Sequence, residues 1–200
     1  MQDLPIELQE EILFSFSQVT DLARVCSSSR QSRQICSSAS FWRAKFRREG
    51  LPLLEEGSNF SQWLGIYDRS LKAVQVANAK ISSGQEIEIA LSRVANVDLV
   101  KVLNSDIEDL WEVTQKGGVE RYIGWVAVVM QTEITVIHDY YIVLYPQGNK
   151  YMYGKIDKQE EITEYGTIRQ TLAIPNIKIA LSKDDTWFMI YRLVYHGYPF

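Results

Sequence analysis

The sequence predicts an α+β fold, helical over its first 84 residues and antiparallel β beyond them. Three observations carry that expectation. Apolar residues recur at a helical period as far as Ser83. After Gly84 the period falls to two, as in Glu86-Ile87-Glu88-Ile89. The later half is rich in β-branched and aromatic residues set between turn signals. Three segments follow: a helical module over 1–50, a connector with a long amphipathic helix over 51–84, and a β-rich domain over 85–200.

Within the helical module, Asp3 is placed to cap a first helix and Pro5 suits its first turn, where a missing N–H costs nothing. Leu8, Ile12, Leu13 and Phe16 share a face, and Glu7, Glu10 and Glu11 set negative charge near the helix start. Thr20 and Asp21 restart a helix bearing Leu22, Val25 and Cys26, which Ser27-Ser28-Ser29 weakens. A third short helix is predicted over Gln31–Cys36. Ser40 is placed to cap a fourth, with Trp42 and Phe46 four residues apart on one face. Arg43, Lys45, Arg47 and Arg48 form a basic run, read as a solvated helix face.

Pro52 and Gly57 break the helical pattern, and Asn59 or Ser61 reopens it. Phe60, Trp63, Leu64, Tyr67, Leu71 and Val74 then form one apolar stripe, which ends near Ser82-Ser83-Gly84. An aromatic stripe of this kind predicts core, and the helix is read as a rigid joining element.

Strand-like runs follow at Val97–Leu103, Trp125–Met130, Ile134–Ile137, Tyr140–Tyr145 and Trp187–Tyr195. Gly117-Gly118, Pro146-Gln147-Gly148 and Lys183-Asp184-Asp185 read as turns. Asp109–Gly124 lies over Asp139–Gly154 as a weak repeat, and a looser third copy ends at Gly197. The expected result is a small antiparallel β domain, as a partial propeller or an open sheet, with a small barrel or sandwich as the alternative. Nine tyrosines of this half, among them Tyr140, Tyr145, Tyr153 and Tyr191, are expected in part on the solvent side, where a partner would meet them.

Composition narrows the functional classes. The chain has 46% hydrophobic and 23% charged residues and a net charge of −4, which disfavours nucleic acid as a partner. No apolar run reaches about 18 residues, and no basic segment followed by an apolar one stands behind Met-Gln-Asp-Leu-Pro, so neither a membrane span nor a secretory signal is expected. The two cysteines, Cys26 and Cys36, fit a reducing compartment and suggest neither a disulfide framework nor a zinc site. No phosphate-binding glycine loop, nucleophile elbow or paired-histidine zinc motif occurs. His138-Asp139 reads as a loop or edge-strand histidine, because adjacent strand residues face opposite ways. Asp184-Asp185 and Glu160-Glu161 read as polar turns, and Asp98, Asp106, Glu108 and Asp109 lack cation-loop spacing. No cofactor and no catalytic residue are predicted.

Leu4-Pro5, Glu7-Leu8, Ile12-Leu13, Asp21-Leu22, Val25-Cys26, Ile35-Cys36 and Phe41-Trp42 fall in the order of the F-box family, which this stretch resembles. Two departures are visible. Ser29 stands where many F-boxes carry a tryptophan, and the interval from Val25 to Trp42 is longer than the family's. These traits and the ending FWRAKF resemble the F-box-like proteins of large DNA viruses. The β repeats faintly resemble those of the regulator-of-chromosome-condensation propeller family. The F-box resemblance implies docking on a Skp-type adaptor that links to a cullin ubiquitin ligase. Leu4, Pro5, Leu8, Ile12, Leu13, Leu22, Val25 and Cys26 are the implied contacts. A few short helices have more apolar surface than they can bury among themselves, which suits such a role. The implied function is a non-catalytic adaptor that recruits an unknown target through its β domain, in the cytoplasm or nucleus, or in host cytoplasm if viral. The alternatives are a decoy that occupies the adaptor without delivering a substrate, and a small β-domain enzyme with a helical extension.

Overall fold

The computed structural model describes residues 4–100, 107–117, 119–122, 134–163, 166–174 and 180–200. Asp3, the expected first cap, lies outside them, as do Trp125–Met130, Gly118, Tyr165 and Asp106. Helix α1 (Ile6–Phe14) starts directly after Pro5, whose carbonyl accepts from the N–H groups of Leu8 and Gln9 at 3.1 Å each. Helix α2 (Val19–Ser28) runs through most of the serine cluster and stops where Ser29 turns extended. Ser29 then caps α3 (Arg30–Cys36), its Oγ accepting from the N–H of Ser32 at 3.0 Å. The serine run is therefore the joint between two helices.

Helix α4 (Ala39–Glu49) begins after Ser38, so Ser40 sits inside its first turn rather than capping it. Gly50 closes α4 in the left-handed region at φ 66°, while the N–H of Leu51 bonds the Phe46 carbonyl at 2.9 Å. Helix α5 (Phe60–Ser83) is capped by Asn59, whose Oδ1 accepts from Gln62 N–H at 3.0 Å. Its expected stripe is rotated. Trp63 and Tyr67 are buried with Ile66, Ser70 and Ala73, whereas Phe60, Leu64, Leu71 and Val74 are only partly covered. Ser70 and Ala73 are small and wholly buried, and Ser70 turns its hydroxyl back onto the Ile66 carbonyl at 2.9 Å.

The chain divides within α5 into two compact units, Met1–Gln75 and Val76–Phe200. The first unit's core is aromatic. Phe14 stacks on Phe41 at 4.9 Å between ring centroids, and Trp42 on Trp63 at 6.0 Å. Cys26 and Cys36 lie within this core, joined by a disulfide with their Cα atoms 5.9 Å apart. This corrects the expectation of two free thiols. Helices α2 and α3 fold back on each other and bring the two cysteines within bridging distance, which a separation of 10 residues does not announce.

The second unit is built on an antiparallel sheet. Its strands are β1 (Ile87–Ala90), β2 (Val119–Tyr122), β3 (Ile134–Gln147), β4 (Lys150–Thr163), β5 (Gly166–Ile174) and β6 (Ala180–Ser182). The path runs β1-β3-β4-β5, with β2 also pairing β3 and β6 also pairing β4. Strands β3 and β4 form a long hairpin from Thr135↔Ile162 to Gln147↔Lys150, turned at Gly148, which takes φ 61°. The sheet is open, and the whole is α+β.

Several expectations for this half are corrected. Trp187–Tyr195 is not a strand but the body of helix α7 (Lys183–Tyr195). Lys183-Asp184-Asp185 is its first turn, where Ser182 Oγ accepts from Asp185 N–H at 3.0 Å and the acidic pair meets the helix dipole. Thr186, Met189, Ile190 and Leu193 are buried at helical spacing, a period that the aromatic content of the segment had masked. Val97–Leu99 is a short 3₁₀ turn, and 101–103 lies outside the described residues.

The repeat does not survive either. Its first copy runs through helix α6 (Ile107–Gln115), its second is the β3–β4 hairpin, and its third ends in α7. No propeller unit recurs among the described residues. Glu160 and Glu161 lie within β4, and His138 sits in the inner strand β3 rather than at an edge. Of the described tyrosines singled out, Tyr151, Tyr153, Tyr191, Tyr195 and Tyr198 are buried, Tyr140 and Tyr141 are half-buried, and Tyr145 is exposed at 41%. Their size pulls them inward, where sheet and helix need large side chains to fill the space between them.

Candidate docking site

The exposed apolar surface of the first unit begins at the start of α1. Leu4, Pro5, Ile6 and Leu8 all face solvent, Leu8 at 51% and Ile6 at 50%. Ile12 and Val25 are half-buried. Leu13, Leu22 and Cys26 are fully buried, and Cys26 is also tied to Cys36. Within the chain these three are core. The stripe therefore divides into an outward part on the entry and first turn of α1, and an inward part that holds the helices together.

Ile6 was not among the expected contacts. Its neighbours on the helix face are Gln9 and Glu10, not apolar residues, and that was the available signal that it lacks a core to join.

The outward part is held from behind. The buried Gln9 donates from Nε2 to the Leu4 carbonyl at 2.7 Å, tying the entry segment to α1. At the other end, Lys45 reaches back from α4 and donates to the carbonyls of Phe16 at 2.7 Å and Phe14 at 3.5 Å. Its side chain is 0% exposed and pairs with Glu49 at 2.7 Å. Lys45 is thus a buried tie, not part of a solvated basic face. It satisfies backbone acceptors that the end of α1 leaves open. Tyr67 of α5 donates to the same Glu49 at 2.7 Å, and burial together with that bond holds its phenol pKa well above the ordinary range.

Arg48 and Arg43 behave as the expectation held, on the surface. Arg48 forks onto Glu11 of α1 and lies over the Phe14 ring, with its guanidinium 4.2 Å from the centroid. The hydrogen bond from Arg48 holds the Glu11 carboxyl below its ordinary pKa of 4.5. Arg43 pairs likewise with Glu56 at 2.7 Å.

His138 Nδ1 lies 2.7 Å from Asp157 Oδ2, while Asp139 turns to the other face and accepts from Tyr141 and Ser92. An open depression of about 500 Å³ lies over β3, β4 and β5. Its charged groups are engaged with protein partners: Glu160 with Arg169, Lys158 with Glu88, and Asp139 as above. Among the described residues no cluster of metal-ligating side chains occurs, and no helix is long and apolar enough to cross a membrane.

The first unit thus presents short helices with an outward apolar entry, braced by buried polar ties. Residues 1–44 match the model of the F-box domain, and the match spans all eight residues implied as contacts. The N-terminal helical region is an F-box region. No curated protein and no solved structure matches the chain.

Proposed function

We propose that the chain is a non-catalytic adaptor. Its F-box region docks on a Skp-type protein of a cullin ubiquitin ligase, and its sheet unit carries a target protein. The observation that supports docking is the exposed run Leu4, Pro5, Ile6 and Leu8 inside the matched F-box region. Half-buried Ile12 and Val25 extend it, and buried Leu13, Leu22 and Cys26 contribute by holding the helices in place. Work in the cytoplasm or nucleus belongs to the same proposal, and there the Cys26–Cys36 pair would be held reduced. So does the likeness to viral F-box-like proteins, which rests on Ser29, the long interval from Val25 to Trp42 and the ending FWRAKF.

The test is capture of a purified Skp-type adaptor by the full chain. Leu8→Asp places a charge in the exposed run without touching the core. It should weaken capture about tenfold or more, the cost of a buried interface anchor, with the circular dichroism spectrum unchanged. An intact chain that fails to bind, beside a known F-box that does, overturns the proposal.

A further inference from the structure

Strand β5 ends the sheet's path and is its longest open edge among the described residues, nine residues against three or four in β1, β2 and β6. All but the last of its residues are exposed. Proteins ordinarily blunt such an edge with proline, a bulge or free charge, because its unpaired N–H and C=O groups template another strand. The segment GTIRQTLAI has no proline. Its one charged residue, Arg169, pairs with Glu160 of β4 at 3.0 Å while its side chain stays 81% exposed. Ile168 and Leu172 stand on one face, 59% and 43% exposed.

The strand is also patterned about its centre. Gln170 is the middle residue of nine, with Ile168 and Leu172 two positions to either side. Arg169 and Thr171 flank it, then Thr167 and Ala173. Antiparallel pairing of two β5 strands about Gln170 sets Ile168 of each copy opposite Leu172 of the other, and Arg169 opposite Thr171. No like charges meet. Gln170 meets its own counterpart, a side chain that both donates and accepts.

We infer that β5 is a self-association edge: two copies of the chain pair antiparallel through β5, in register about Gln170, and their sheets become one. The contact is isologous and closes at two. A partner peptide would need no such symmetry in the strand. The inference does not depend on the adaptor function.

Sedimentation of the full chain tests it. The wild type should pass from monomer to dimer as concentration rises to about 100 µM, the range of a modest interface. Ile168→Lys with Leu172→Lys sets lysine against lysine at both contacts and should weaken the dimer about tenfold or more. Ile168→Glu with Leu172→Lys sets opposite charges together in this register alone, and should restore it. Both variants change exposed positions, and circular dichroism checks that each folds. A wild type that stays monomeric overturns the inference, including one that binds an extended peptide at this edge. A Glu/Lys variant as weak as the double-lysine variant overturns the register.

Discussion

Lys45 shows how one side chain sets the end of the docking helix. It is buried, paired with Glu49, and bonded to two carbonyls at the exit of α1. Replacing it with methionine keeps much of the volume but strands those acceptors and leaves Glu49 without its cation. We expect a loss of about 2–3 kcal/mol in chemical denaturation, Glu49 being partly solvated. Tyr67, on the same network, yields a pH dependence. Its folded pKa is raised above 10.0, so the unfolded state releases the proton first. The stabilisation is complete below pH 10 and declines as pH rises beyond it. Tyr67→Phe should flatten that alkaline decline in a denaturation series. Glu11 has the opposite sign. Its pKa is lowered by Arg48, so its contribution stands above pH 4.5 and fades as pH falls through the folded value.

At the scale of elements, α2 and α3 are held by the Cys26–Cys36 disulfide, which closes a short loop. Reduction should cost the F-box region about 2–3 kcal/mol by the chain-entropy estimate for a loop of this length. Thermal melts with and without a phosphine reductant measure it. The entry to α5 is equally specific. A Cβ on Gly57 would fall 2.8 Å from Trp63 N and 2.9 Å from its Cγ. Gly57→Ala should therefore displace Trp63 from its stack on Trp42 and cost about 1–3 kcal/mol. Elements whose period was clean were legible in the sequence. The limits of α5 and the α2–α3 joint follow from caps and serines, and the Pro146-Gln147-Gly148 turn marks the tip of the β3–β4 hairpin, but the length of β4 was not legible because Glu160-Glu161 looks like a turn while lying in the strand. Helix α7 was not legible, because Trp187, Phe188, Tyr191 and Tyr195 satisfy strand composition while their spacing is helical. Nor was Lys45: a basic run looks alike whether or not one member points inward.

At the scale of the whole molecule, the proposed docking and self-association surfaces lie in different units, α1 in the first and β5 in the second. Leu8→Asp should remove adaptor capture and leave sedimentation unchanged, while the double-lysine variant of β5 should do the reverse. What the sequence conveyed of the site was its address and its apolar stripe. Which part of the stripe faces outward depended on how α1, α2 and α4 pack, and that only the fold reveals. The burial of Lys45 reaches further still. It is the only lysine among residues 1–71; the other basic side chains there are arginines. On the proposed adaptor function, the chain would work beside machinery that modifies exposed lysine amines. With Lys45 sealed inside, residues 1–71 offer no exposed lysine side chain, and the first accessible one is Lys72.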